Sequence, residues 1–152
     1  MTTRLPIHHP GSFAALSVAV CMLLTPLASS AADLTIIVNN VQQEDGKIML
    51  GLFNGAEGFP KTSSQGTSTP AKERNTAGQV LLTLKGLAPG QYAASSYHDL
   101  DGNSKLSTNM MGVPTEPYGF SNNARGMFGP PSFKDASITI GNEDLTIEIA
   151  VK

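Results

Sequence analysis

Between Leu34 and Val151, apolar residues recur at every second position in short segments, and no stretch shows the 3.6-residue spacing of an amphipathic helix. Leu34, Ile36 and Val38 form one such series, Ile48, Leu50 and Leu52 a second, and Val80, Leu82 and Leu84 a third. A fourth segment runs from Gln91 to His98, and two more cover Ser137–Ile140 and Leu145–Val151. A period of two places alternate side chains on opposite faces, so each segment is a strand with one apolar face to bury. Strands of this kind satisfy that need by stacking sheet on sheet.

The turns agree. Glu44-Asp45-Gly46, Leu87-Ala88-Pro89-Gly90 and Gly141-Asn142-Glu143-Asp144 each combine residues that reverse a chain. The first, between two alternating runs, reads as the turn of a β-hairpin joining the first two strands. Asn54–Gly78, polar and interrupted by Pro60 and Pro70, reads as a long connection. The expected fold is all-β: a single antiparallel β-sandwich, prealbumin-like or immunoglobulin-like, over residues 33–152. One segment fits no strand. Asp99–Phe133 is far longer than the ~12–15 residues that unstructured loops in compact domains usually reach. It carries Tyr118, Phe120, Phe128 and Phe133 among Gly and Pro, so it reads as a long, ordered, self-packed loop at one end of the sandwich.

Residues 1–32 read as a signal peptide. Arg4 is followed by an uncharged apolar run, Phe13–Leu27, and then by Ala28-Ser29-Ser30-Ala31-Ala32. Cleavage is expected near Ala32, with a cut after Ser30 as the alternative, placing the mature chain in the periplasm or outside the cell. The run is too short for the ~20 residues of a membrane span, and Pro26 breaks it. Cys21, the one cysteine, leaves with it, as do His8 and His9, so His98 becomes the single histidine. A mature chain without cysteine has neither a disulfide nor a thiolate ligand. Ten basic residues against twelve acidic ones, with no basic run, argue against nucleic acid as a partner. The absence of Trp removes the usual platform for sugars.

Several motifs resemble one bacterial family. Gly86-Leu87-Ala88-Pro89-Gly90-Gln91-Tyr92 is similar to a turn-and-strand signature of prealbumin-like extracellular sandwiches. Phe53-Asn54-Gly55-Ala56-Glu57-Gly58-Phe59-Pro60, His98-Asp99, Tyr118–Gly126 and Phe128-Gly129-Pro130-Pro131-Ser132-Phe133 together resemble the exported domain-of-unknown-function family number 2141. The resemblance implies an exported β-sandwich from about Leu34 to the end, and brings no activity with it. Members often read Asn-Gly-Lys-Leu-Asp where this chain has Asn103-Ser104-Lys105-Leu106-Ser107, which lacks the Gly and the carboxylate.

Three constellations carry chemistry. Asp99, Asp101 and Asn103 place oxygen donors at alternate positions, as the start of a calcium loop does, although Ser104 and Met110 stand where a helix-loop-helix site needs Gly and Glu. Calcium is the one cofactor this pattern suggests; turn formation is the competing role for the same residues. His98, with Asp99 or Asp101 as its orienting partner, is the only candidate general base, and no nucleophile motif accompanies it. Tyr118, Phe120, Asn122, Asn123 and Arg125, together with His98, form a candidate ligand surface of aromatic walls and amide or guanidinium groups. The alternative is that the asparagines satisfy loop backbone and Arg125 pairs with Glu116 or Asp135.

These features suggest a non-catalytic binding or accessory module of the bacterial envelope, with Asp99–Phe133 as its working face and a small polar ligand or an envelope protein as its partner. The alternatives are a small periplasmic hydrolase using His98 with Asp99 or Asp101, and a structural envelope protein that pairs through a sheet edge.

Overall fold

Each alternating segment forms a strand in the computed structural model, which describes Met1, Thr2 and residues 31–152. The apolar leader run and Cys21 lie outside the described residues. The strands are β1 (Ala32–Asn39), β2 (Lys47–Phe53), β3 (Gln65–Pro70), β4 (Val80–Leu87), β5 (Gly90–Asp99), β6 (Tyr118–Phe120), β7 (Ser137–Ile140) and β8 (Leu145–Ala150). One turn of helix, α1 (Phe133–Ala136), begins on Ser132, whose hydroxyl accepts the Asp135 N–H.

The strands make two sheets. One has the order β4-β1-β8; the other has the order β3-β2-β5-β6, with β7 also pairing to β5. The all-β sandwich expected from the alternation is therefore what forms, but two details of the expectation change. β8 runs parallel to β1, while the other strand pairs are antiparallel. β1 and β2 are not a hairpin: they lie in different sheets, and the chain between them arches across the core. Val41, buried in that arch, donates its N–H to the Gly78 carbonyl at 2.9 Å. A buried apolar face identifies what a strand hides but not which sheet it joins, since both inner faces are equally apolar.

The core lies between the sheets. Leu34, Ile36 and Val38 from β1, with Val80, Leu82 and Ile149 beside them, meet Ile48, Leu50, Leu52, Ala94 and Ile140 from the other sheet. Each fully buried aliphatic side chain contributes about 1.5–3 kcal/mol by leaving water. Tyr92 packs at the edge of this cluster, and its hydroxyl reaches back to the Ala88 carbonyl at 2.9 Å, which fixes the Pro89-Gly90 crossing from β4 to β5. At the opposite corner Tyr118 and Lys152 exchange backbone bonds of 3.1 Å in both directions and stitch β6 to the segment after β8.

The five-stranded sheet has a second packed face. Ala93, Phe120 and Ala136 are buried there with Phe59, Tyr118, Ala124 and Phe133 against them. Phe59 is the hub: its ring lies 5.0 Å from Phe53, 5.7 Å from Phe120 and 5.8 Å from Phe133. The long connection and the long loop are thus held onto the outer face of this sheet by aromatic edge and tilted contacts.

Candidate functional site

β5 separates two kinds of chemistry. Its even-numbered residues, Ala94, Ser96 and His98, face the core, and its odd-numbered residues, Ser95, Tyr97 and Asp99, face outward. His98 is consequently buried among aliphatics, opposite Ile48, with Nε2 2.7 Å from the Asp45 carbonyl oxygen. It anchors the β1–β2 arch. Asp99, on the other face, is fully buried, and its two oxygens accept the Gly102 and Ser104 N–H groups at 3.0 Å each. The structure therefore does not bring His98 and the aspartates together as a base and its orienting acid.

The carboxylates do converge with one another. Asp99, Asp101 and Glu116 each bring an oxygen within 4.8 Å of the others. Glu116 is buried and accepts Leu100 N–H at 2.8 Å and Ser107 N–H at 2.9 Å. Asp101 is exposed, and accepts the Asn103 N–H at 3.0 Å, the Asn103 amide at 2.7 Å and the Ser107 hydroxyl at 2.9 Å. The Asn103 N–H first, then the Ser107 hydroxyl, holds the Asp101 carboxyl below its ordinary value of 3.8. Asn103 in turn accepts the Lys105 N–H at 2.7 Å. The acidic loop is thus built around its own carboxylates. Sequence reasoning named Glu116 only as a partner for Arg125 and missed its place beside Asp99 and Asp101, although it is the one acid between Asp101 and Asp135.

Asn122 and Asn123 have left-handed φ values of 59° and 49°, which Asn tolerates better than most residues. Asn122 donates to the Asp135 and Ser137 carbonyls at 3.2 and 2.8 Å, and Asn123 accepts the Ala150 N–H at 2.9 Å. Between them they tie the loop to α1, β7 and β8. Ser121, fully buried, donates to the Ala136 carbonyl and accepts the Ala94 N–H at 2.9 Å. Arg125 pairs with neither Glu116 nor Asp135; its guanidinium lies 5.8 Å from the centre of the Tyr118 ring.

Of the residues proposed for ligand contact, Tyr118 and Phe120 line a cleft of about 790 Å³ on the outer face of the five-stranded sheet. Its floor includes Ser95 and Tyr97 of β5, its walls include Leu106–Pro114 residues and Gly126–Pro130, and Pro60 and Lys61 overhang it. It continues into a shallower depression of about 470 Å³ over Met49, Gly51, Gly66 and Ser68. Burial, reinforced by the negative charges of Asp99 and Glu116, pushes the Tyr97 phenol above its ordinary value of 10.0. The hydroxyl is neutral across the physiological range.

The cleft's rim is unusual for a soluble surface. Met110, which does not line the cleft, and Met111, Val113, Met127 and Phe128, which do, are exposed, Phe128 by 98% and Met111 by 87%. The loop carrying the first three is rigid by its own bonding: Asn109 accepts Met111 and Val113 N–H groups at 2.9 and 3.1 Å, and Thr115 N–H reaches the Ser107 carbonyl at 2.9 Å. Single exposed apolar residues are ordinary; here a group of them is gathered around one cleft.

The molecule is thus a two-sheet β-sandwich with a preformed, apolar-rimmed cleft on one sheet's outer face. It belongs to the bacterial family described as uncharacterized protein conserved in bacteria (DUF2141), whose model matches residues 36–148. No match was found among curated proteins or among solved structures. No helix among the described residues is long and apolar enough to cross a membrane.

Proposed function

We propose that the protein is a non-catalytic binding module of the bacterial envelope, exported after removal of its amino-terminal leader, and that the cleft over β5 and β6 holds its ligand. The observation that carries this reading is the exposed apolar rim of Met111, Val113, Met127 and Phe128 over a floor of Tyr97, Tyr118 and Phe120. A small-molecule site is typically a preformed hollow of ~300–1,000 Å³ with apolar walls and a few polar groups, and this cleft has that size and composition. The binding role moves from the asparagines, which hold the loop, to the aromatics and methionines that the loop presents. The inward position of His98 weighs against the hydrolase alternative.

The test is a ligand-observed magnetic resonance screen of a chemically broad small-molecule library, with Met111→Ala/Phe128→Ala as the reference. Both side chains are exposed, so the variant should keep its stability within ~0.5 kcal/mol. Compounds that bind the wild type and are lost in the variant are expected; a screen that cannot tell the two apart contradicts the reading.

A second reading is favoured by a specific observation: three carboxylates, two of them buried, meet with no cation paired to them among the described residues, where the one ion pair is Arg74–Glu44. Hard oxygen donors at this spacing suit calcium, and the oxygens of Asp99 and Glu116 each retain a lone pair after accepting one N–H. The ion would neutralise a loop already held by hydrogen bonds. Millimolar calcium is expected to raise the melting temperature by mass action, and Glu116→Gln to remove the shift. Equal melting curves in calcium and in chelator would exclude it.

A further inference from the structure

The cleft's charge and shape narrow the ligand beyond the proposed binding role, on which this inference rests. Lys61 and Lys105 are the formally charged side chains lining it, and no carboxylate faces into it. Lys61 also lines the adjoining depression, so a cation stands where the two hollows join. The acids nearest the floor, Asp99 and Glu116, have their oxygens directed to the N–H groups of Gly102, Ser104, Leu100 and Ser107.

The remaining surface is apolar or neutral: Tyr118, Phe120, Met111, Val113 and Phe128, with Ser95 on the floor. The trough is also elongated: the cleft continues into the depression, where Gly51 and Gly66, paired across β2 and β3, present no side chains between Met49 and Ser68. A peptide is disfavoured by the floor. β5 is paired on one flank by β2 and on the other by β6 and β7, which leaves no row of free N–H and C=O groups for a strand to join. Methionine thioethers are flexible and polarisable, and suit a chain more than a rigid ring.

We infer that the cleft takes a single-chain amphipathic carboxylate, its alkyl body along the trough between Tyr118, Phe120 and the methionine rim and its head beside Lys61 and Lys105.

The experiment is calorimetric titration of the purified protein with octanoate, decanoate and dodecanoate, each below its micelle concentration, and with 1-decanol as the neutral counterpart. Affinity should rise roughly fourfold per methylene. Decanoate should bind several-fold more tightly than decanol, and Lys61→Gln/Lys105→Gln should narrow that gap by about two- to fivefold, as should added salt. Met111→Ala/Phe128→Ala should weaken both ligands alike. Equal binding of decanoate and decanol would overturn the inference yet leave the cleft a ligand site. Absence of binding across the whole series would also overturn it, and the library screen would then decide separately whether the cleft binds anything.

Discussion

Ser104 shows how one residue can expose a departure that the sequence announces without explaining. It stands where the resembled sequence pattern has Gly, and its φ is +60°. A left-handed conformation costs a residue with a Cβ roughly 1–2 kcal/mol, whereas Gly adopts it freely. Ser104 is held there because its N–H is needed by the buried Asp99 carboxylate at 3.0 Å. Ser104→Gly keeps that bond, relieves the conformation and adds only the ~0.4–1 kcal/mol of freedom that glycine brings to the unfolded chain. The substitution should stabilise the domain by about 0.5–1 kcal/mol in urea unfolding; a loss of stability would show that the Ser104 side chain matters more than its backbone. Ser107, where the resembled sequence pattern has a carboxylate, tells a parallel story. Its hydroxyl donates to Asp101 at 2.9 Å, so this chain answers one acid with a donor instead of adding a fourth negative group.

At the level of strands, legibility followed burial. β1, β2, β4, β5, β7 and β8 each hide at least one face, and alternation marked all six. β3, Gln65–Pro70, pairs only with β2 and buries neither face fully, so Gln-Gly-Thr-Ser-Thr-Pro carries no apolar period and reads as loop. β6 is three residues long, too short for a pattern, yet its middle residue decides how the sandwich closes. Gly119 sits at the inner side of β6, where an added Cβ would lie 2.5 Å from the Ala150 carbonyl oxygen and 2.8 Å from Ile149 Cγ2. Only glycine lets β6 approach β8 while Tyr118 and Phe120 turn outward to the cleft. Gly119→Ala should therefore cost about 1–3 kcal/mol, the range for an overfilled core, and should disturb the cleft along with the fold. An unchanged melting temperature would mean that β6 can shift without loss. The site was less legible than the strands for the same reason: Glu116, Asn122 and Asn123 act through backbone groups distant in sequence, which no local pattern records.

On the scale of the whole chain, the proposed leader would meet the sandwich at Ala32. It is the first residue of β1, it is buried, and it lies opposite Leu87 at the far end of β4. The regular register with β4 begins only at Leu34; before it the strand is held by that pairing, by the Asp33 N–H, which donates to Asp144 at 2.8 Å, and by the Asp33 carboxylate, which accepts the Gly86 N–H at 3.0 Å. A cut after Ser30 leaves Ala32 in the mature protein; a cut after Ala32 removes it and puts a charged amino group on Asp33. The buried methyl is worth about 0.8 kcal/mol, while the new amino group would remain beside the Asp144 carboxylate, an exposed contact. Chains 31–152 and 33–152 should both fold, because Leu34, Ile36 and Val38 are retained, but the longer should be more stable by about 1 kcal/mol. Amino-terminal sequencing of protein recovered from the periplasm or medium should find Ala31 or Asp33, and comparing the two recombinant chains by thermal unfolding gives the difference. A mature protein that retains Phe13–Leu27 and sediments with membranes would defeat the exported reading, and with it the envelope setting of the proposed function.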